Sequence, residues 1–355
     1  MAVTEVGWEQ SKSFVPEAGY RTPYFRTSSD LPDGLVDGLM SLGRGNITAL
    51  FGYGSSFVGS GNGKMKDFLA VVGNTWEFHQ RNSQGEILHY GTTKNPLFHE
   101  NLQRYGPNYY HGEIGGQKFK FVVIDLDRFG VFARGARRDS YLARKGAGYL
   151  YLPGRLSKLL TVIHPQDPEK VHPSVKQAIN QAKTDCMWLA LSLVPPIFSE
   201  EEWLTETLDL SYKGDFRVEL NGKAKKLYQE NQVEYAKSYQ PHLDDFADRG
   251  VVTPLGGGIF RTEVRLKPSL VEGRLLAAKI AAIKRNYILT WATVGLDKGW
   301  FYAWDKVFRS VGLSQNGHPQ TKDLQASHPY LLLEEGVDVF ELAGEDGELE
   351  AVGYR

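Results

Sequence analysis

The residues best placed to do chemistry lie in one short stretch: Gly52-Tyr53-Gly54-Ser55-Ser56, then, after a spacer, Lys64-Met65-Lys66-Asp67-Phe68. Exposed amides in a glycine-serine turn, with serine hydroxyls beside them, suit the phosphates of a nucleotide. Asp67 heads the next apolar run and can face those phosphates through a divalent metal. Magnesium typically combines one or two carboxylates with phosphate oxygens. Gly54, Ser55 and Ser56 are therefore expected to hold phosphates, and Asp67 a magnesium ion. The plain alternative is a surface turn before a strand that opens with an aspartate, and spacing alone does not separate the two. Two rival glycine readings fail. A P-loop requires a glycine five residues before Gly63 and a Ser or Thr after Lys64, where Val58 and Met65 stand. A dinucleotide fingerprint beginning at Gly52 has Phe57 in place of its third glycine.

The elements that must position these groups are legible around them. Ile47 to Tyr53 reads as a buried strand ending in the glycine-serine turn, Phe68 to Val72 as a second, and Phe119 to Ile124 as a third after the turn signal Gly115-Gly116. Leu35 to Leu42 suits a short helix. Serine turn, spacer and strand-initial aspartate resemble the signature of polymerase-β-type nucleotidyltransferases, an α/β fold with its anion site at one strand end. A second carboxylate would steady the metal. Asp125 and Asp127 are candidates because alternate strand residues share a face; spacing does not choose between them, and both can instead open a loop. Lys66 and Lys120 are candidates for neutralising phosphates. From Pro173 the pattern turns helical through Met187 to Leu193 and stops at Pro195-Pro196, and Ser199-Glu200-Glu201-Glu202 has capping-box spacing. Phe216 to Leu220 before Asn221-Gly222 reads as a strand and turn. Helices followed by a small hairpin suit a winged-helix-like domain. The expected division is a loose arm over 1–30, a nucleotidyltransferase domain over 31–165, a winged-helix-like domain over 166–260 and C-terminal helices with an acidic tail over 261–355.

These segments together resemble the translocator assembly and maintenance protein family, the soluble, mitochondrial-type phosphatidate cytidylyltransferases. Tyr53-Gly54-Ser55 and Asp67-Phe68 are similar to the family's serine turn and strand start, and His79, Asn82 and His89-Tyr90 follow in the family's order. Leu150-Tyr151-Leu152-Pro153-Gly154-Arg155-Leu156 with Lys158, Phe198-Ser199-Glu200-Glu201, and Leu210 to Arg217 resemble further blocks. The likeness covers roughly residues 50–230. It implies CTP and phosphatidic acid as substrates, magnesium as cofactor, and a place in phospholipid biosynthesis on the way to cardiolipin. It also implies roles for Arg155 and Lys158 in the reaction and for His79 near the nucleotide, though His79 can equally pack against Trp76. Asp215 and Arg217 read as an ion pair or as lining of a cleft. The chain departs from the pattern at Ser56, at Gly73-Asn74 in place of an acidic pair, and at Leu159 in place of a proline.

Composition narrows the partners. With 355 residues, 41% hydrophobic and a net charge of -1, the chain has no global field to recruit nucleic acid, so anion binding must be local. The only cysteine, Cys186, sits in an apolar run and reads as a core thiol. No run approaches the roughly 18 uninterrupted apolar residues of a membrane span, and the N-terminus, with Glu5 and Glu9, lacks the pattern of a targeting segment. A lipid substrate would then be met from outside the bilayer, on the cytoplasmic side of a membrane or the matrix side of the mitochondrial inner membrane. Residues 261–285 hold seven basic and two acidic residues. Stripes at Leu276, Ile280, Ile283 and Tyr287, and at Trp300, Trp304, Val307, Phe308 and Val311, suit helices on an anionic interface or packed on the rest of the protein. Residues 334–350, with eight carboxylates and no basic residue, read as a solvated edge. Two rival functions remain: a nucleotidyltransferase with a non-lipid acceptor, and a non-catalytic membrane-associated scaffold. Oligomeric state is not legible.

Overall fold

Runs rich in β-branched and aromatic residues build the centre of a seven-stranded mixed sheet. The computed structural model describes residues 3–7, 10, 22–27, 31–32, 34–58, 65–85, 87–90, 93–103, 107–133, 148–212, 222–273 and 275. The chain divides into Met1–Trp304 and Asp305–Arg355, and every described residue belongs to the first unit. In chain order the strands are β1 (Thr4–Val6), β2 (Arg26–Thr27), β3 (Ile47–Tyr53), β4 (Lys66–Val72), β5 (Leu88–His89), β6 (Asn108–Ile114), β7 (Gln117–Asp125), β8 (Leu160–His164), β9 (Ile197–Ser199), β10 (Val252–Gly256), β11 (Ile259–Thr262) and β12 (Val264–Leu266). The helices are α1 (Leu35–Gly43), α2 (Ser55–Val58), α3 (Thr75–Asn82), α4 (Pro96–Leu102), α5 (Leu126–Ala133), α6 (Gly148–Leu156), α7 (Pro173–Ala190), α8 (Glu200–Asp209), α9 (Lys223–Gln229) and α10 (Gln232–Asp248).

The large sheet runs β2-β8-β3-β4-β7-β6-β5, with β4 parallel to β7 and antiparallel to β3. The three expected strands are thus its middle, and the α/β class holds. Their near-continuous apolar runs follow from burial on both faces. Ala49, Phe51, Leu69, Val71, Val122 and Ile124 face Phe129, Leu152, Leu156, Val175 and Ile179 from α5, α6 and α7. Leu50, Phe68, Ala70, Val72, Phe121 and Val123 on the opposite face meet Leu35, Leu39, Leu42 and Phe78 from α1 and α3. Each large side chain so enclosed is worth about 1.5–3 kcal/mol relative to exposure.

A second core forms where the helical pattern predicted it. The first half of α7 packs on the sheet through Val175 to Ala182, while its second half, Cys186 to Leu191, joins Trp203, Leu204, Tyr235, Tyr239, Leu243 and Phe246. Cys186 is a buried core thiol. α8 opens with the expected capping box: Glu202 N–H donates to Ser199 Oγ, and the Glu202 carboxylate accepts from the Ser199 N–H at 2.7 Å. A three-stranded sheet, β10-β11-β9, closes this core through Phe198 and Phe260. One helix, α7, therefore packs on both cores, and both cores belong to the same unit.

The arm expected to be loose is tied down where it is described. β1 pairs in parallel with β12 and buries Val6, and β2 pairs with β8. Phe25 stacks on Phe51 with ring centroids 5.5 Å apart, and Tyr24 donates to Glu234. Isolated apolar anchors in a turn-rich segment give no periodicity, so composition alone conceals them. The strand at Phe216–Leu220, Asp215, Arg217, the stripes from Leu276 onward and the acidic tail lie outside the described residues.

A polar seam joins α7 to α10. Lys183 Nζ donates to Ser238 Oγ at 2.6 Å, and Thr184 Oγ1 lies 2.9 Å from His242 Nδ1. Burial pushes the Lys183 ammonium down from 10.5 to about 7. Because the folded-state value is the lower one, the unfolded chain binds more protons between those pH values, and stability rises with pH across that window. Lys183→Met removes this titration. The stability of wild type minus that of Lys183→Met is expected to climb by on the order of 3 kcal/mol between about pH 7 and pH 10, read from urea midpoints. A flat difference would show the amine solvated in the folded state.

Candidate functional site

The chain leaves β3 at Tyr53 and turns at Gly54, whose φ of 82° lies in the left-handed region that favours glycine. Phe57 N–H donates to the Gly54 carbonyl at 3.0 Å, closing the turn into α2. Antiparallel pairing sets Asp67 opposite Tyr53, and parallel pairing sets Lys120 opposite Asp67. Lys120 Nζ lies 3.8 Å from Asp67 Oδ1. The other carboxylate oxygen faces the turn, since a Cβ on Gly54 would stand 3.3 Å from Asp67 Oδ2. The Ser56 hydroxyl is buried and has no hydrogen-bond partner among the described residues. Turn, Ser56, Asp67 and Lys120 thus share one end of the central strands.

A segment about ninety residues further along the chain brings positive charge to the same end. Arg155, in the last turn of α6, has its guanidinium carbon 5.6 Å from the Tyr53 ring centroid and 5.9 Å from that of Tyr212. Lys158 Nζ lies 3.5 Å from the Tyr212 centroid, and Lys223 Nζ 5.5 Å. Lys158 is only 1% exposed, and its ammonium has no hydrogen-bond acceptor among the described residues. Burial pushes the Lys158 pKa well below its ordinary value, helped by Arg155 and Lys223, while Asp67 and Asp209 act in the opposite sense. Local packing explains the glycine before Arg155: a Cβ on Gly154 would lie 2.7 Å from both Cα and N of Ser211. Without a side chain, α6 can approach the 210–212 turn that carries Tyr212. Tyr239 of α10 donates to the Ser157 carbonyl, bracing the same segment from the second core.

Three sequence expectations are corrected. Asp125 pairs with Val72, five residues along the parallel ladder from the Asp67–Lys120 pair, and so about 16 Å away at the opposite end of the sheet. An odd offset also turns it to the other face. Its carboxylate accepts from Asp127 N–H at 2.9 Å at the start of α5, and Asp127 is exposed there, so neither residue can share a metal with Asp67. His79 does not reach the phosphate turn. It is buried on the α3 face, with Nδ1 2.9 Å from Tyr90 Oη and Nε2 3.3 Å from Asn108 Nδ2, and burial holds its pKa well below the ordinary range. Its partners are these and Tyr110 rather than Trp76. Lys66 alternates to the other face from Asp67, but its ammonium stays beside the turn, 3.4 Å from the Ser56 carbonyl and 5.3 Å from the Phe57 centroid. Gly54, Ser56, Asp67, Lys120, Arg155 and Lys158 are brought together. The Ser55 backbone belongs to the same turn.

Gly73-Asn74, the departure from the acidic pair, lies beyond Val72 at the far end from Asp67. Asn74 caps α3, accepting from Glu77 N–H at 3.0 Å. Sequence reasoning missed Tyr53 and Tyr212 as cation platforms, and Lys223 and Asp209 as members of the charge cluster. The two tyrosines stood in motifs that carried another meaning, and nothing in the spacing distinguishes Lys223 or Asp209 from solvated charges. A groove of about 580 Å³ lies elsewhere, lined by Trp76, Gln80, Lys94 and Leu97 among others, and no residue of the charge cluster lines it. Among the described residues there is no group of three or more His, Cys, Asp or Glu side chains that could hold a metal by itself. Asp67 with nucleotide phosphate oxygens still matches the one-carboxylate form that magnesium commonly takes.

An acidic residue beside a glycine-serine turn, with cations near it, is an arrangement that suits phosphate groups. Over residues 37–257 the chain matches the family model described as mitochondrial phosphatidate cytidylyltransferase, and it belongs to that family. Curated relatives carrying that name include one from Caenorhabditis elegans, 28% identical over 218 residues, covering 58% of this chain and 63% of that protein. One from Drosophila melanogaster is 27% identical over 239 residues, 63% of this chain and 62% of that protein. One from Caenorhabditis briggsae is 27% identical over 201 residues, 54% and 57% respectively. The chain thus matches about six-tenths of the length of these relatives.

The close approach at Gly154 generates a prediction. Gly154→Ala forces α6 off Ser211, with a cost of about 1–3 kcal/mol for overpacking. A lowered melting temperature is expected together with weakened binding of nucleotide triphosphate, by calorimetry. Unchanged affinity at lowered stability would mean that this contact does not set the cation cluster.

Proposed function

We propose that this chain transfers CMP from CTP to the phosphate of phosphatidic acid, giving CDP-diacylglycerol and pyrophosphate. The observation that carries this reading is Asp67, set beside the Gly54 turn, 3.8 Å from Lys120 and in electrostatic reach of Lys158, which Arg155 and Lys223 flank, in a member of this family. A phosphatidate oxygen attacks the α-phosphorus of CTP, and the bond from that phosphorus to the bridging oxygen of the β-phosphate breaks. A phosphate monoester is already largely ionised near pH 7, with a second pKa of about 6, so no strong general base is required. The burial of His79 away from the turn is compatible with that. The protein's task is to gather two polyanions and offset the charge that accumulates on the leaving pyrophosphate.

In this reading the amides of Gly54, Ser55 and Ser56 and the Ser56 hydroxyl receive CTP phosphates. Lys120, Arg155, Lys158 and Lys223 neutralise phosphate oxygens. Asp67 would hold magnesium jointly with the nucleotide, and the metal would supply further charge neutralisation. The strand order and turn support a polymerase-β-type domain, and the succession α7, β9, α8, α9, α10, β10, β11 supports a winged-helix-like second part. No described helix is long and apolar enough to cross a membrane. We infer that the lipid is met by peripheral attachment to an anionic membrane surface, in mitochondria as the relatives' names state, or on the cytoplasmic side of a membrane.

The test is pyrophosphate release from CTP with phosphatidic acid in micelles and magnesium present, for wild type and Asp67→Asn. Lipid-dependent, CTP-selective release is expected, falling at least about a hundredfold in the variant, in line with loss of a charge-stabilising group. Release without lipid would point to another acceptor. No release, with no stabilisation of the fold by CTP, would leave a scaffold as the function.

A further inference from the structure

Arg26, in the N-terminal arm, reaches the phosphate turn. Strand register lines up Phe68, Gly52, Thr161 and Arg26 in one row across β4, β3, β8 and β2, and residues so paired share a face. Phe57, in the turn's helix α2, lies over that row. Its ring meets Phe68 edge-on with centroids 5.4 Å apart, and a Cβ on Gly52 would stand 2.3 Å from its Cε1. The Arg26 guanidinium donates to the Phe57 carbonyl at 3.0 Å. Arg26 also lies in electrostatic reach of Glu234 on α10, which accepts from Tyr24 and pairs with Lys237 at 3.5 Å. We propose that Arg26 is a positioning residue that fastens the phosphate turn to α10, so that the arm and the second core, together with the sheet, set where the turn's amides stand. This rests on the CMP-transfer reading for the identity of the nucleotide, but not for the fastening of the turn.

A helix of four residues leaves its last carbonyls without partners inside it. Two cations take them here: Lys66 at the Ser56 carbonyl and Arg26 at the Phe57 carbonyl. Lys66 belongs to β4, so it ties the turn to the strand that carries Asp67. Arg26 belongs to an arm that is itself held in place. Thr22 donates to Glu169 at 2.9 Å, Phe25 stacks on Phe51, and Tyr24 donates to Glu234. This arm lies outside residues 37–257, over which the chain matches its family. A turn fixed in advance meets phosphate already in place. A turn released at Phe57 has to be ordered on binding, and that cost is read as lost affinity. A direct role for Arg26 as one more phosphate cation makes the opposite demand on Glu234. If Arg26 positions the turn, the carboxylate that steadies it favours anion binding; if Arg26 acts by its charge, that carboxylate opposes it.

The experiment measures binding of inorganic tripolyphosphate by calorimetry, together with kcat and KM for CTP, in wild type, Arg26→Ala, Glu234→Gln and the double variant. Tripolyphosphate reports on the turn whatever the reaction proves to be. Arg26→Ala is expected to bind about tenfold more weakly, the usual scale for losing a hydrogen bond from a charged group, and to show its defect mainly in KM. Glu234→Gln is expected to weaken binding by about threefold, in keeping with a partly exposed charge pair. The double variant is expected to bind no more weakly than Arg26→Ala, because both changes act through one connection. Should Arg26→Ala fail to fold, the sign of the Glu234→Gln effect alone decides. Unchanged affinity in Arg26→Ala would overturn the proposal. So would unchanged or tighter binding in Glu234→Gln, since Arg26 would then act by its charge or without α10. A wild type that releases pyrophosphate from CTP yet does not bind tripolyphosphate would also overturn it and keep the CMP-transfer reading. A wild type that binds tripolyphosphate in an Arg26-dependent and Glu234-dependent way yet releases no pyrophosphate would remove the CMP-transfer reading and keep the role of Arg26.

Discussion

Like charges held together in a low-dielectric setting are the constraint from which the rest of this structure follows. Two unit charges 6 Å apart at an effective dielectric of about 20 repel by roughly 3 kcal/mol. Lys158 feels Arg155 and Lys223 in addition to the cost of its own burial. Such a cluster persists only where the surrounding fold over-determines it. Here the sheet holds Asp67 and Tyr53 from one side, and the second core holds Tyr212 and the Lys158 backbone from the other. In the proposed reaction, binding of a polyanion would relieve this repulsion.

That requirement accounts for the connection between the two cores. α7 is 18 residues long, about 27 Å at helical rise. It packs on the sheet with one half and on the tyrosine-rich second core with the other. A rigid element shared by both cores fixes the distance between the Asp67 end of the sheet and the ring of Tyr212, which a flexible linker would leave free. The polar seam of Lys183, Ser238, Thr184 and His242 runs along the same helix. It lies one turn from the residues that brace Ser157.

Much of the site was readable because its residues are local. A glycine-serine turn followed by a strand-initial aspartate is a compact pattern, and its geometry rests on neighbouring strands that announce themselves by apolar runs. Asp125 and Asp127 were misplaced for a definite reason. Alternation tells which face a residue takes but not which end of the partner strand it meets, and the parallel register of β4 on β7 decided that. His79 was read as near the nucleotide on a family likeness in order and spacing. Burial against Tyr90, Tyr110 and Asn108, from strands and a loop that no pattern linked to α3, decided otherwise.

The sequence by itself determined the α/β class, the central strands, the capped helix at Ser199 and the kinship that points to CTP and phosphatidic acid. These depend on short-range periodicity or on blocks conveyed intact along the chain. The likeness already put Arg155 and Lys158 in the reaction with Asp67; only the tertiary structure decided that the rings of Tyr53 and Tyr212, and Lys223, lie with them. Their association rests on strand register, on the absence of a side chain at Gly154, and on ring faces meeting cations across long sequence separations. Energies of that kind arise between surfaces brought together by folding and leave no periodic trace in the order of residues.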